Sequence, residues 1–567
     1  MIASHSDERK NDYDEKGSSN DHLASSTSAQ ISTVPLREVF RIQQHQGGLD
    51  AANLDSVSPM LDDGSPHEAI SPILDDDFAQ VSDDRSSSSS EDDCDEIDEQ
   101  MRNDEDLLDY FSLAPPVYFF TFDLASQLQQ ILDCSTDLCL VNHAKNRPTT
   151  LQDIVDGEFY QRLLIAERGN NFLTLTMNVD GVSPNRSSSL SIWPVFLVIN
   201  EIEKGKRFAL ENLIVGGIWP GPSKPSREHM FVFLTDIVEQ LKVLERGQVF
   251  HVHSSCGSSR RISLKVFLTS CCCDKPAQCL VQRIAEPIAK FGCGACEIHG
   301  IYNYEGRCNT FPMTEGDRLR KRDNKRYDEL LLVYESNAKE LAAFIERGTR
   351  GRNKLMNKHK LSVKGIQGPC VLRSLAYFDV GSSFLVDSLH NVYLGVFRRL
   401  LNMWLSTAYQ DQQWSIHGQL DKLDMMLTNV HFPSTTTRLP RSLAKFNKYK
   451  GNEFRSLLLF GYSIFNGVLG SQYYSHFLIL VLIMHISESR TIQTDWMDNL
   501  RHLCTQFVLI FPRLYTVRHN VQVVHSIAHI HETVKSFGPL SNYSTFNFES
   551  LLGRKKLDIY RFTNGRH

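Results

Sequence analysis

Between residues 171 and 270, apolar and β-branched residues fall into short runs bounded by turn formers. The run Asn171-Phe-Leu-Thr-Leu-Thr-Met-Asn-Val-Asp180 predicts a strand with a carboxylate at its carboxyl end. Further strands are predicted at 191–200, 209–218 and 262–270, with a helix at 226–245. Asp274 follows the last of these and opens Asp-Lys-Pro-Ala, with a helix predicted at 277–290. Strands, then a helix, then a strand make a mixed α/β core. Upstream, residues 117–165 carry apolar side chains at helical spacing. Downstream, 301–515 reads as mostly helical, and Phe477-Leu-Ile-Leu-Val-Leu-Ile-Met484 is a buried helix segment, too short to span a bilayer. Residues 1–105 are rich in Ser, Asp and Glu, poor in aromatics, and expected to be disordered.

These patterns divide the chain into five stretches. They are a disordered acidic tail (1–106), a helical lead-in (107–170) and the first part of the core with a Cys-x-x-Cys (171–300). A helical insertion with basic loops (301–515) and a carboxyl-terminal stretch with paired histidines and a glutamate (516–567) complete the chain.

Composition changes the picture in two ways. The formal net charge of −7 hides an asymmetry: residues 1–110 hold 28 acidic and 7 basic side chains, net −21, and the rest hold 39 and 53, net +14. A basic body suggests a polyanionic partner, and the acidic arm could compete for the same surface. Of the 13 cysteines, seven bunch between 271 and 308, and the opening Met-Ile-Ala-Ser-His-Ser-Asp-Glu lacks an apolar signal region. Metal ligands and free thiols in a reducing compartment are therefore expected rather than disulfides. Cations concentrate at Arg318, Arg320, Lys321, Arg322, Lys325 and Arg326, and again at Arg350, Arg352 and Lys354. Phosphate contact is one reading of these loops. A solvated helix face or a nuclear-localisation patch is equally compatible with them. No aromatic residues interleave them, so base stacking is not indicated there.

The chemistry centres on carboxylates and on Cys/His pairs. Asp180 and Asp274, at the ends of two strands, and Glu549, in Phe546-Asn-Phe-Glu-Ser550, could together hold two divalent metals for phosphodiester chemistry. Singly, each has a plainer reading: an Asp-Gly turn, a helix-start acid and a first-turn helix glutamate. Cys293-Gly-Ala-Cys296 has the spacing of half a zinc site, and His525 and His529 at i,i+4 offer the other half. His299 and Cys308 are local alternatives, and His531 is a spare. Asp387 and His390 at i,i+3 suit a shared hydrogen bond or a cap.

Several stretches together resemble the DDE transposases of the CACTA (En/Spm) type and proteins derived from them. They are Asn178-Val-Asp-Gly-Val, Ser191-Ile-Trp-Pro, Glu211-Asn-Leu, Gly217-Ile-Trp-Pro-Gly-Pro-Ser-Lys-Pro, Asp274-Lys-Pro-Ala and Gly292-Cys-Gly-Ala-Cys. Further on come Gly365-Ile-Gln-Gly-Pro, Val386-Asp-Ser-Leu-His with Leu394-Gly-Val, Tyr473-Tyr-Ser-His-Phe, Phe537-Gly-Pro-Leu and Ser544-Thr-Phe-Asn-Phe-Glu-Ser. The order of Cys293/Cys296 and His525/His529 is more remotely similar to the Transib transposases and the V(D)J recombinase core. The resemblance implies an RNase H-like core, α/β in class, interrupted by a long, mostly helical insertion.

It implies Asp180, Asp274 and Glu549 as catalytic acids for Mg2+ or Mn2+, with Asp387 as the alternative second acid. It also implies a structural Zn2+, cleavage and joining of double-stranded DNA at transposon ends, a homo-oligomer when active, and a nuclear location. The family usually runs further beyond its glutamate and often carries an amino-terminal DNA-binding module. It also tends to have asparagine where Val523 stands. These departures keep one alternative in view: a domesticated or decayed, non-catalytic DNA- or protein-binding factor.

Overall fold

The predicted strands condense into one mixed sheet. The computed structural model describes residues 119–134, 149–182, 191–221, 223–253, 259–316, 319–346 and 361–551. All of these lie in the unit Arg41–His567. The expected acidic tail (1–106) and the start of the lead-in fall outside them.

The strands are β1 (Phe120–Thr121), β2 (Thr150–Leu151), β3 (Phe172–Val179), β4 (Trp193–Ile199), β5 (Leu213–Trp219), β6 (Gln248–His253), β7 (Ser259–Cys271), β8 (Ile301–Asn303), β9 (Cys308–Thr310) and β10 (Ile492–Gln493). The helices of more than one turn up to residue 346 are α1 (Leu124–Cys134), α2 (Glu158–Ala166), α3 (Arg227–Arg246), α4 (Lys275–Gln282) and α5 (Asn324–Glu346). The main sheet has the order β1-β5-β4-β3-β7-β6. β3, β4 and β5 form an antiparallel meander, β7 joins β3 in parallel, and β6 closes the edge as a hairpin with β7. The lead-in is less helical than its periodicity predicts. It carries α1 and α2, but also β1, which pairs with β5, and β2, which pairs with β10.

Alternation along the strands fixes two faces. Val195, Leu197 and Ile199 of β4 join Leu173, Leu175, Met177 and Val179 of β3 against α3. That helix buries Met230, Phe233, Leu234, Ile237, Val238, Leu241 and Leu244, a stripe at helical spacing. Phe196 and Val198 point the other way and pack on Phe548 and Leu551. Residues 545–551 form a helix there, so the last described helix lies on the second face of the sheet.

Beyond α5 the chain is mainly helical, as its pattern predicts. Trp404, Phe465 and Phe477 pack at 5.2–5.6 Å ring separations in the core of this region. The run 477–484 lies inside the helix Ser471–Ser487. The expected helix at 277–290 is shorter. α4 ends at Gln282 because Arg283 turns left-handed, with φ of 53°.

Candidate functional site

Three carboxylates are turned toward the second face of the sheet, each within electrostatic range of the others. The alternation of β3 puts Thr174, Thr176 and Asn178 opposite the α3 side, and Asp180 continues that parity. Gly181 follows it without a left-handed backbone. A Cβ there would lie 2.6 Å from the Trp193 indole, so glycine is needed for close packing rather than for the turn.

Asp274 reaches the same face through a bulge. Early in β7, Leu264, Val266 and Leu268 point toward α3. Strict alternation would send residues 270, 272 and 274 the same way. The β3–β7 register instead slips between Leu175↔Leu268 and Thr176↔Ser270, leaving Thr269 as the extra residue. Beyond it, Cys271 and Cys273 face α3. Ser270 bonds Thr176 at 2.8 Å on the opposite face, and Asp274 shares that parity. Asn178 Nδ2 donates to the Cys272 carbonyl (2.7 Å), holding the two strand ends together. Asp274 also caps α4, accepting from the Ala277 amide at 2.7 Å.

Glu549 comes from the 545–551 helix, anchored by the buried Phe548, whose ring meets Phe208 edge-on at 5.2 Å. Burial and the Asp274 charge raise the Asp180 carboxyl to about 7; Glu549 adds to this, while His390 opposes it. The three acids are therefore within electrostatic reach of one another.

Asp387 holds a different position. Ser383 to Leu385 run parallel to the end of β7, through Cys271 N to Ser383 O (2.8 Å) and Leu385 N to Cys271 O (2.9 Å). Asp387 then caps a ten-residue π-helix, Ser388–Phe397. Its buried carboxylate accepts from the His390 amide (2.8 Å), His390 Nδ1 (2.8 Å), Ser544 Oγ (3.2 Å), Thr545 N (3.0 Å) and Thr545 Oγ1 (2.6 Å). Burial acts to raise its pKa, but these bonds and the His390 charge hold it at about 2. Burial likewise acts to lower His390, yet Asp387, Asp274 and Glu549 bring it to about 9. His390 Nε2 lies 3.4 Å from Glu549 Oε1. Ser544 and Thr545 open one of the stretches that carry the resemblance, but the sequence assigns them no role. Their only signal was a Ser-Thr pair just ahead of an aromatic-flanked glutamate.

A second cluster gathers Cys293, Cys296, His525 and His529, all buried, with ligand atoms within 4.8 Å of one another. Cys296 Sγ lies 3.2 Å from His525 Nε2, Cys293 Sγ 3.5 Å from His529 Nε2, and the two Nε2 atoms 3.2 Å apart. A tetrahedral zinc with its usual bond lengths needs S–N edges of about 3.5 Å and N–N edges of about 3.3 Å. The donor set therefore fits a metal such as zinc. His525 closes a single α turn and His529 the 3-10 turn after it, rather than sharing one continuous α-helix.

The local alternatives stand apart from this group. His299 is exposed against Phe291, Cys308 points to the Arg518 carbonyl, and His531 Nδ1 faces the Ala528 carbonyl. Gln282, at the far end of α4 from Asp274, donates to the Gly294 carbonyl at 2.8 Å. One short helix thus links the acids to the Cys/His cluster.

The basic loops divide. Arg318, Arg350, Arg352 and Lys354 lie outside the described residues. Lys325 is exposed, Lys321 pairs with Glu532 (2.7 Å), Arg320 lies 3.6 Å from Glu329, and Arg326 grips Glu297 and Glu329. Arg322 does not share the surface placement read from the loop. It is 4% exposed, and its Nε donates to the carbonyls of Cys293 (2.9 Å) and Cys296 (3.1 Å). Its guanidinium steadies the Cys-x-x-Cys turn, which removes it from the set of surface cations.

Among the described residues, no helix is long and apolar enough to cross a membrane. A search of the curated proteins found no match. Residues 162–315 match the family described as Transposase family tnp2. That span holds Asp180, Asp274, Cys293 and Cys296, and the match supports a transposase family for this chain.

Proposed function

We propose that this chain is a transposase-like protein that cleaves and joins DNA strands, with Asp180, Asp274 and Glu549 as its catalytic acids. One observation carries the reading. A bulge and a remote helix bring three acids, far apart in sequence, onto one face at the carboxyl ends of two adjacent parallel strands. An antiparallel meander followed by a parallel strand supports an RNase H-like core. The oxygen donors suit Mg2+ or Mn2+, and the raised Asp180 carboxyl marks a site where a cation would relieve repulsion between acids. Divalent ions held by Asp180, Asp274 and Glu549 would supply the Lewis-acid chemistry that in-line attack on a phosphodiester needs.

The chain's own residues do the rest. Asp387, its oxygens already engaged, orients His390 rather than serving as the second acid. His390 turns Nε2 toward Glu549 and the place a phosphate would occupy, as a cationic donor. The zinc-type cluster braces the segment leading to Glu549. Exposed cations hold the DNA backbone, and the protein works in the nucleus as a homo-oligomer. The complete acid set favours this reading over a non-catalytic derivative.

The test is nicking of supercoiled plasmid by the purified full-length chain in Mg2+ or Mn2+. Nicking that disappears in Asp180→Asn and Glu549→Gln supports the assignment. A folded, zinc-loaded wild type that nicks with neither metal refutes it.

A further inference from the structure

The hairpin β8–β9 stands out from the basic body by its exposed apolar surface. Tyr304 is 87% exposed, Ile301 55%, Ile288 47% and Tyr302 45%. The two tyrosine rings meet edge to face at 5.0 Å. Asn309 Nδ2 donates to the Ile288 carbonyl and the Gly300 amide to that of Lys290, both at 2.6 Å, which brings residues 288–290 alongside the hairpin. These side chains form one cluster rather than scattered surface residues.

The hairpin's base is fixed. Thr310 and Phe311 are buried, Phe311 and Asn520 exchange backbone and side-chain hydrogen bonds, and the Phe311 ring stacks on His525 at 6.2 Å. The tip is therefore held out from the Cys/His cluster on a rigid mount.

Charge narrows the occupant. Glu305, the acid of the tip, is paired with Arg518 at 3.0 Å. Lys290 and Arg307 are exposed, and among the described residues neither makes an ion pair. Exposed aromatic faces flanked by free cations match a strand that alternates bases with phosphates.

We propose that this hairpin is a base-stacking platform on which Tyr302 and Tyr304 receive unpaired bases of DNA, while Lys290 and Arg307 meet the adjoining phosphates. It rests on the reading of the chain as a DNA-processing protein, and adds that the DNA is bound with bases opened from the duplex.

The experiment uses the full-length chain and fluorescence anisotropy. One probe is a duplex oligonucleotide, and the other is the same duplex with a central unpaired bubble. The double variant Tyr302→Ala/Tyr304→Ala should weaken bubble binding by about 10- to 100-fold and change duplex binding by less than about twofold. Tyr302→Phe/Tyr304→Phe should bind like the wild type, and zinc content should be equal in all three proteins. Unchanged bubble binding by the alanine variant overturns the proposal, as does an equal loss on both probes. If that variant instead loses self-association in sedimentation with bubble binding intact, the patch joins copies of the chain and the proposal falls. A wild type that binds neither probe brings down the DNA-processing reading itself. A wild type that binds duplex, with indifferent tyrosine variants, brings down only the platform.

Discussion

His390 donates from Nδ1 to Asp387 Oδ2 across 2.8 Å, and this bond sets which edge of the imidazole faces Glu549. Asp387→Asn should keep the fold but loosen the ring, lowering nicking by about 10- to 100-fold. Asp387→Ala should also cost about 3–5 kcal/mol, because it leaves His390 charged without its buried partner. Nicking rates and denaturant curves check both. Full activity in Asp387→Asn removes the positioning role.

The acid site predicts an inverted stability order. Asp180 has a folded pKa of about 7, above its ordinary 3.8. The folded state therefore holds more protons than the unfolded one between those values. The stabilisation is complete below 3.8 and is lost as pH rises through 7. In metal-free buffer at pH 8, Asp180→Asn should melt higher than the wild type. Adding Mn2+ should raise the wild type and leave the variant unmoved. A wild type that melts higher without metal contradicts the crowded-acid picture.

The Cys/His cluster predicts about one zinc ion per chain. Cys293→Ser should lose it and lower the melting temperature. Arg322→Met should do likewise in weaker form, because the carbonyls of Cys293 and Cys296 lose their shared donor. Elemental analysis with thermal melting reads both. Zinc retained by Cys293→Ser would show that the cluster is not the binding site.

His476 predicts acid sensitivity of the helical region. It stacks on Phe507 at 4.4 Å, donates to the Phe507 carbonyl, and burial lowers its pKa to about 4. The unfolded chain then binds the extra proton between about 6.5 and 4, so stability falls as pH drops through that window, by about 3 kcal/mol at its foot. His476→Phe should be less stable at neutral pH, having lost the hydrogen bond, but should lose less between pH 6.5 and 4. Parallel pH-melting curves for the two proteins would falsify this account.

Much of the sheet was legible because its apolar runs are short and clearly bounded. The strands and α3 lie within a few residues of their predicted places, and the Cys/His spacing pointed to four side chains that do meet. What escaped has physical causes. β6 is a half-polar edge strand, Gln-Val-Phe-His-Val-His, without a continuous apolar run. Periodicity could not reveal the bulge at Thr269, since one extra residue reverses every later side chain without changing composition. The anchoring of Asp387 by Thr545 spans 158 residues, and no local pattern encodes it. Arg322 looked like its basic neighbours because burial depends on what packs around a residue, not on its own chemistry.

The long closure of the Cys/His cluster bears on the order in which the fold can be completed. Cys296 and His525 are 229 residues apart, and Glu549 lies later still. A chain emerging from the ribosome can fold its meander early, since those pairings are local. It cannot close the cluster until His529 is synthesised, nor complete its acid set until the 545–551 helix docks on Phe196 and Val198. Partial products that stop short of Glu549 therefore carry at most two of the three acids, and those that stop short of His529 also lack the full Cys/His cluster.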